Sequence, residues 1–174
     1  MEQSNNATLS RDRTLPTASR LAPFLGAAIT VIALDQLSKA WIRDWLPEGH
    51  VWPAREAILR ISHVENPGAA FGILPGAGPF LLITAIVGAI AIVAYLLLAP
   101  MSGRWFAIAL GMILGGAVGN LIDRASRGTV TDFIDPTHYP AFNLADSSIV
   151  VGVVVLIALS FLQPDGERHE ADDS

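Results

Sequence analysis

Four apolar stretches, Leu21 to Trp41, Pro79 to Ala99, Trp105 to Ile122 and Phe142 to Leu162, limit what this chain can fold into. Each approaches the ~20 residues that a helix needs to cross a hydrocarbon layer ~30 Å thick. Backbone at that depth must satisfy its own hydrogen bonds, so each stretch is predicted as a helix. Of the 174 residues, 52% are hydrophobic and only 16% charged, less charge than a soluble domain of this size carries. The expected fold class is a membrane all-α protein with four transmembrane helices, and an even count puts both termini on one side.

The connections differ in length. "PMSGR" between the second and third stretches reads as a tight hairpin, whereas Ile42 to Gly78 and Asp123 to Ala141 are long and must emerge together on the face opposite the termini. In the first long loop, Ala57 to Val64 has strand character and "NPGAAFG" is a Pro/Gly turn signal, so a small extramembrane β-sheet is expected there. "RGTVTDFIDP" in the second long loop also alternates like a short strand. Residues 1–20 read as a flexible polar leader, 21–163 as a single four-helix domain and 164–174 as a disordered acidic tail.

Arg and Lys near the spans divide almost evenly. Arg11, Arg13, Arg20, Arg104 and Arg168 lie on the termini side, and Lys39, Arg43, Arg55, Arg60, Arg124 and Arg127 on the long-loop side. The weight of the first helix, preceded by three arginines, favours cytoplasmic termini.

The chain has no cysteine, which excludes a disulfide scaffold, a thiolate nucleophile and cysteine-based metal sites. His50, His63, His138 and His169 are scattered without ligand spacing, so neither a metal nor a cofactor is expected. The formal charge of -5 comes largely from the tail "PDGERHEADDS". No basic run suggests a nucleic-acid partner.

Ionisable residues inside a span are costly and tend to face a bundle interior or a cavity. "IALDQLSKAWI" places Asp35 and Lys39 at i and i+4, adjacent on one helical face, as an internal ion pair or as a boundary pair with Lys39 reaching for the interface. "LGMILGGAVGNLIDR" spaces Gly111, Gly115 and Gly119 four apart, a pattern that lets membrane helices approach closely. Close approach does not explain Asn120, Asp123 and Arg124, which follow directly. In the fourth stretch Asn143 and Asp146 share a helical face. Alternating the helices through the membrane brings Asp35, Asp123, Asp132 and Asp146 to one level, with Asp135 nearby.

Paired carboxylates suit hydrolysis by activated water, in which one takes a proton from water and its protonated partner polarises the scissile carbonyl. Glycosidases and proton carriers use paired acids as well. Ser147, Ser148 and His138 raise a serine mechanism, but no GxSxG-like elbow is present. A small proton-coupled transporter would need carboxylates reaching both faces, and the second stretch has none. A purely structural membrane protein leaves the one-sided acids unexplained.

Taken together, "DQLSKAWI", "ENPGAAFGIL", "GGAVGNLIDR", "GTVTDFID" and "AFNLADSSI" resemble the lipoprotein signal peptidases, the type II signal peptidases of bacteria, in order and over most of the chain. The resemblance implies an intramembrane aspartyl endopeptidase without a cofactor. It would cleave diacylglyceryl-modified prolipoproteins before the lipid-bearing cysteine, at the outer face of the cytoplasmic (inner) membrane. By motif the catalytic dyad would be Asp132 and Asp146. Asp35, Lys39, Asn66, Asn120, Asp123, Arg124 and Asn143 would line or brace the site. The expected partners are the lipid-modified substrate and membrane lipid, and the expected state is a monomer. As partner for Asp146, Asp132 among apolar neighbours is favoured over Asp123, because Arg124 follows Asp123 and would hold it ionised. The segment from Asp132 to Asp146 is short for the family, and the polar leader is long.

Overall fold

Glycine decides how the helices meet. In the computed structural model, which describes residues 17–53, 57–68, 78–98 and 103–162, helix α3 (Arg104–Arg127) packs against all three other helices: α1 (Thr17–Trp45), α2 (Gly78–Leu98) and α4 (Leu144–Leu162). A Cβ built on Gly111 would run into the backbone of Phe24, and one on Gly115 would lie 2.8 Å from both the Ala28 carbonyl oxygen and the Val31 Cβ. At Gly119 the neighbour is the Asp35 carboxylate, at 2.6 Å. The i+4 glycine stripe is thus the seam with α1, and its last member makes room for a charged group. Gly116 and Gly152 form the seam with α4, against Ala145, Ser148 and Ile149 on one side and Ala109 and Ile113 on the other. These pairings make α1 and α3 parallel and α4 antiparallel to α3.

Three helices among the described residues are long and apolar enough to cross a membrane: Leu21–Trp45, Arg104–Arg127 and Leu144–Leu162. In α2 the apolar stretch over Ile83–Leu98 is shorter. Large apolar side chains face outward, among them Ile83, Val87 and Ile90 of α2 and Val150, Val154 and Ile157 of α4, while Asp35, Lys39, Asp123 and Asn143 are buried. This inversion is what a bilayer solvent imposes. Near the start of α3 a small apolar core gathers Phe24, Leu96, Ala107 and Leu110.

The sheet is built from both long loops rather than the first alone, which corrects the expectation. Strands β1 (Val51–Trp52), β2 (Leu59–Asn66) and β3 (Val130–Pro136) form an antiparallel sheet in that order. "VTDFIDP" therefore completes the sheet begun by the first loop. Facing residues include Trp52 with Ile61, Ile61 with Ile134, Val64 with Asp132 and Asn66 with Val130, with a bulge between Ile61 and Val64. Because side chains alternate across a strand, Asp132, Ile134, Val64 and Asn66 share one face. Glu65, Thr131 and Asp135 share the other. Gly128, at φ 80, ends α3 in the left-handed conformation and donates its N–H to the Arg124 carbonyl, so β3 starts within two residues.

Helix α1 begins at Thr17, inside the stretch read as leader. Residues 1–16, most of the "PMSGR" hairpin, part of "NPGAAFG" and the acidic tail lie outside the described residues.

The glycine seams yield a direct test. Gly115→Ala is expected to lower stability by about 1–3 kcal/mol through overpacking, whereas Gly88→Ala, with open space around its Cβ, is expected to be neutral. Thermal unfolding of the two detergent-solubilised variants checks this, and equal midpoints would refute the packing assignment.

Candidate active site

An ammonium group has three N–H donors and no acceptor, and each donor of Lys39 meets an oxygen. Lys39 Nζ lies 2.8 Å from Asp35 Oδ2, 2.9 Å from Asp123 Oδ2 and 2.9 Å from Asn120 Oδ1. The Lys39 and Asp35 side chains are 0% exposed. Lys39 is therefore not reaching for the interface, and the i,i+4 pair is internal. Gln36 closes the cluster, its Nε2 sharing two N–H donors among Asp35 Oδ2, the Gly119 carbonyl and Asp123 Oδ1, all 3.1–3.2 Å away.

The cation in contact with Asp123 is Lys39, whereas Arg124, the neighbour expected from the sequence, acts on it only at longer range. Consecutive helical residues do not face each other, so Asp123 turns toward α1 while Arg124 turns toward the cavity described below. There the Arg124 Nη2 lies 3.5 Å from the Gly68 carbonyl oxygen.

The start of α4 uses the same groups. Ala145 N–H donates to Asp35 Oδ1 at 2.9 Å, so a carboxylate from α1 satisfies one of the free donors at a helix N-terminus. Asn143 and Asp146 make a reciprocal cap. Asp146 N–H donates to Asn143 Oδ1 at 3.0 Å, and Asn143 N–H donates to Asp146 Oδ2 at 3.3 Å. An acid in the first turn also suits the helix dipole.

Three amides hold the two carboxylates, and two of them, Asn120 and Asn143, link Asp146 to Asp132. Asn120 Nδ2 donates to Asp146 Oδ1 at 2.8 Å. Asn143 Nδ2 donates to Asp132 Oδ1 at 2.7 Å and lies 3.1 Å from Asn120 Oδ1. Asn66 Nδ2 donates to Asp132 Oδ2 at 2.9 Å. Asn143 thus touches both carboxylates, one through its side chain and the other through its backbone. Burial pushes the Asp132 carboxyl up to about 6, and the Asp146 charge adds to this, while the amides of Asn66 and Asn143 and the Lys39 charge pull the other way. Asp135 is not part of the cluster. It sits on the opposite face of β3 and pairs with Arg60 at 3.0 Å.

Both carboxylates line a cavity of about 550 Å³. Asn66, Asn120 and Arg124 complete its polar side, and Val130, Phe142, Ile149, Val150 and Val151 form an apolar wall. Of the residues expected at the site, Asn66, Asn120, Arg124, Asp132 and Asp146 line this cavity, and Asp35, Lys39, Asp123 and Asn143 join them through the hydrogen bonds and ion pairs above. No group of His, Cys, Asp and Glu suited to a metal occurs among the described residues.

Several bracing residues were not anticipated. Glu65 accepts hydrogen bonds from Thr129 at 2.5 Å and Thr131 at 2.8 Å and lies 3.2 Å from His63 Nε2. Burial alone would raise its carboxyl, but the three partners together hold it below the usual range. His63 Nδ1 lies 2.7 Å from the Leu46 carbonyl, and Arg43 donates to Thr131 at 3.1 Å, so the rear face of the sheet is fastened to the end of α1. The strand alternation around Asp132 was the available signal, because it sends Thr131 to the face away from the cavity.

Replacing Lys39 by Met would leave Asp35 and Asp123 buried without a cation. Breaking such a cluster costs about 3–5 kcal/mol. Denaturant unfolding of Lys39→Met should show a loss of that order, and unchanged stability would contradict the bracing role.

The signal peptidase (SPase) II family model matches residues 27–162. The chain is 42% identical over 147 residues to the lipoprotein signal peptidase of Moorella thermoacetica, covering 84% of this chain and 97% of that protein. It is 44% identical over 149 residues to that of Burkholderia vietnamiensis, covering 82% and 89%. Two bacterial membrane enzymes solved by the in meso method share the fold. One has a TM-score of 0.77 at 30% identity, covering 86% of this chain and 94% of that one, and the other 0.74 at 32%, covering 83% and 96%. Motifs, fold and relatives agree: the chain is a multi-pass membrane protein and belongs to the signal peptidase II family of peptidases.

Proposed function

We propose that the protein is an intramembrane aspartyl endopeptidase that removes the signal peptide from diacylglyceryl-modified prolipoproteins, cutting before the lipid-bearing cysteine. The observation that carries this reading is the pair Asp132 and Asp146, bridged by Asn143 at the polar side of a cavity whose other wall is apolar. The relatives' name supports the substrate class. The parallel course of α1 and α3 supports α2 as the fourth span, since the chain between them must return to the side from which α1 started. On this reading the protein is a monomer of the cytoplasmic (inner) membrane with cytoplasmic termini, and the dyad lies toward the outer face.

Asp132 holds the shared proton and donates it toward the scissile carbonyl oxygen, and Asp146 takes a proton from the attacking water. Water oxygen bonds to the carbonyl carbon, giving a tetrahedral diol. Collapse breaks the C–N bond as Asp146 passes its proton to the leaving nitrogen and a hydroxyl proton returns to Asp132. Asn66 and Asn143 hold Asp132 in place throughout. The apolar wall of Phe142, Ile149, Val150 and Val151 suits apolar side chains beside the cut.

Asp132→Asn and Asp146→Asn each keep the shape but cannot carry the exchanged proton. Each is expected to lower cleavage by several orders of magnitude in protein that still inserts and folds. Incubation with a diacylglyceryl prolipoprotein and with its unmodified form should give cleavage of the former alone; full activity of either variant, or equal cleavage of both substrates, sinks the reading.

The pH profile follows with its sign. Asp132 acts as an acid, so its protonated form is required, and kcat/KM should fall by about tenfold per pH unit as pH rises above about 6. Stability moves the same way. A carboxyl raised from 3.8 to about 6 favours folding most below pH 3.8, and that contribution is lost as pH rises through 6. The shift corresponds to about 3 kcal/mol. The stability of Asp132→Asn relative to the parent should therefore improve by that order between pH 3 and pH 8; a pH-independent difference would refute the raised carboxyl.

A further inference from the structure

Three of the four tryptophans gather at one place. Trp41 and Trp45 stack with ring centroids 5.2 Å apart and planes 3° from parallel, and Trp45 meets Trp52 edge-on at 5.8 Å. Stacking does not bury them, for Trp41 and Trp52 are each 56% exposed and Trp45 42%. Leu59 of β2, two residues from the Ile61 that faces Trp52, is exposed as well. An apolar patch of this kind facing water would be a liability.

The patch continues a surface already assigned to lipid. Exposed Leu34, Leu37, Trp41 and Trp45 follow one another at helical spacing along α1, on the side away from buried Asp35, Lys39 and Ile42. The stripe does not stop at the end of the helix, because Trp52 of β1 extends it onto the sheet. Trp52 faces Ile61, Ile61 faces Ile134, and Leu59 and Asp132 lie two residues from this row on β2 and β3. By alternation all of them share one side of the sheet. The side that carries Asp132 is therefore also the side with the exposed tryptophan.

The fourth tryptophan fixes the scale. Trp105 opens α3, with the Arg104 guanidinium 5.0 Å from its ring centroid. It precedes by six residues Gly111, which packs level with Phe24 of α1. From there Trp41 and Trp45 lie about 23 and 27 residues along the parallel helices, or about 35–40 Å at 1.5 Å per residue. This distance brackets a hydrocarbon core of ~30 Å and places both tryptophan groups in the headgroup layers, where the ring can be half apolar and half wet.

We infer that the Trp41–Trp45–Trp52 cluster and Leu59 form a lipid-binding face that seats the sheet in the headgroup and glycerol layer of a phospholipid bilayer. The sheet does not stand free in water. About 7 Å along β3 and about 10 Å across the sheet separate Asp132 from the Trp52 row, so seating this edge sets the depth of Asp132 in the membrane. The inference rests on the membrane helices and the sheet register, and it holds whichever residues perform catalysis.

Because the chain has no cysteine, Leu59→Cys supplies a single thiol for a nitroxide label, and it leaves the tryptophans in place. In phosphatidylcholine bilayers without substrate, the label should collide with dissolved oxygen several-fold more often than with a water-soluble nickel chelate. A second variant, Trp41→Phe/Trp45→Phe/Trp105→Phe, keeps Trp52 as the sole tryptophan. Its emission should be quenched by lipids brominated near the glycerol end of their chains more than by those brominated near the terminal methyls, and little by aqueous iodide. Dominant nickel or iodide contact would overturn the inference and leave the face open to water or peptide. Protection from every quencher would overturn it in favour of a second protein chain.

Discussion

One buried ammonium organises the molecule. Lys39 joins Asp35 of its own helix, Asp123 of α3 and, through Asn120, the start of α4. Two carboxylates share this one cation in a region from which lipid excludes water, and Lys39 and Asp35 offset that cost with close partners from three helices. Asp35 shows the economy of the arrangement, since one oxygen accepts from Lys39 and the other from the Ala145 N–H. The glycine stripe is a condition for this cluster, because a side chain at position 119 would fill the space of the Asp35 carboxylate.

The sheet completes the site by a different rule. A strand sends neighbouring residues to opposite faces, and β2 and β3 use this to keep two polar systems apart. Asn66 and Asp132 face the cavity, whereas Glu65 and Thr131 face the end of α1 and meet there with His63 and Arg43. A slip of one residue in the β2–β3 register would exchange the two sets and take Asp132 out of the cavity.

Much of this was legible in the sequence. Apolar length located α1, α3 and α4, and the i,i+4 spacing of Asp35 and Lys39 announced their pair, because both signals depend only on local geometry. The glycine stripe announced a close helix seam, but not that Gly119 closes on a carboxylate. That detail depends on which face of α1 turns inward. The partner of Asp123 was misread for a related reason. Arg124 is adjacent in sequence, but a helix turns adjacent residues about 100° apart, and the true cation arrives from another helix. The joining of the two long loops into one sheet was also out of reach, since pairing between strands so distant in the chain leaves no local trace.

Asp146 has two reasons to be where it is, and they do not compete. As the third residue of α4 it caps the helix with Asn143, which accounts for an acid at the mouth of an apolar helix without reference to catalysis. Capping uses the backbone N–H and the side-chain oxygen of Asn143 and leaves that residue's Nδ2 to reach Asp132 on the sheet. The same motif that starts the helix therefore couples the two carboxylates. Since Asp132 and Asp146 belong to different elements, neither element alone can fix their separation. Asn143 does so with one rigid residue, and Asn120 ties the arrangement back to Lys39. The proposed dyad thus inherits its geometry from the buried cluster, and a change at Lys39 reaches Asp146 through Asn120.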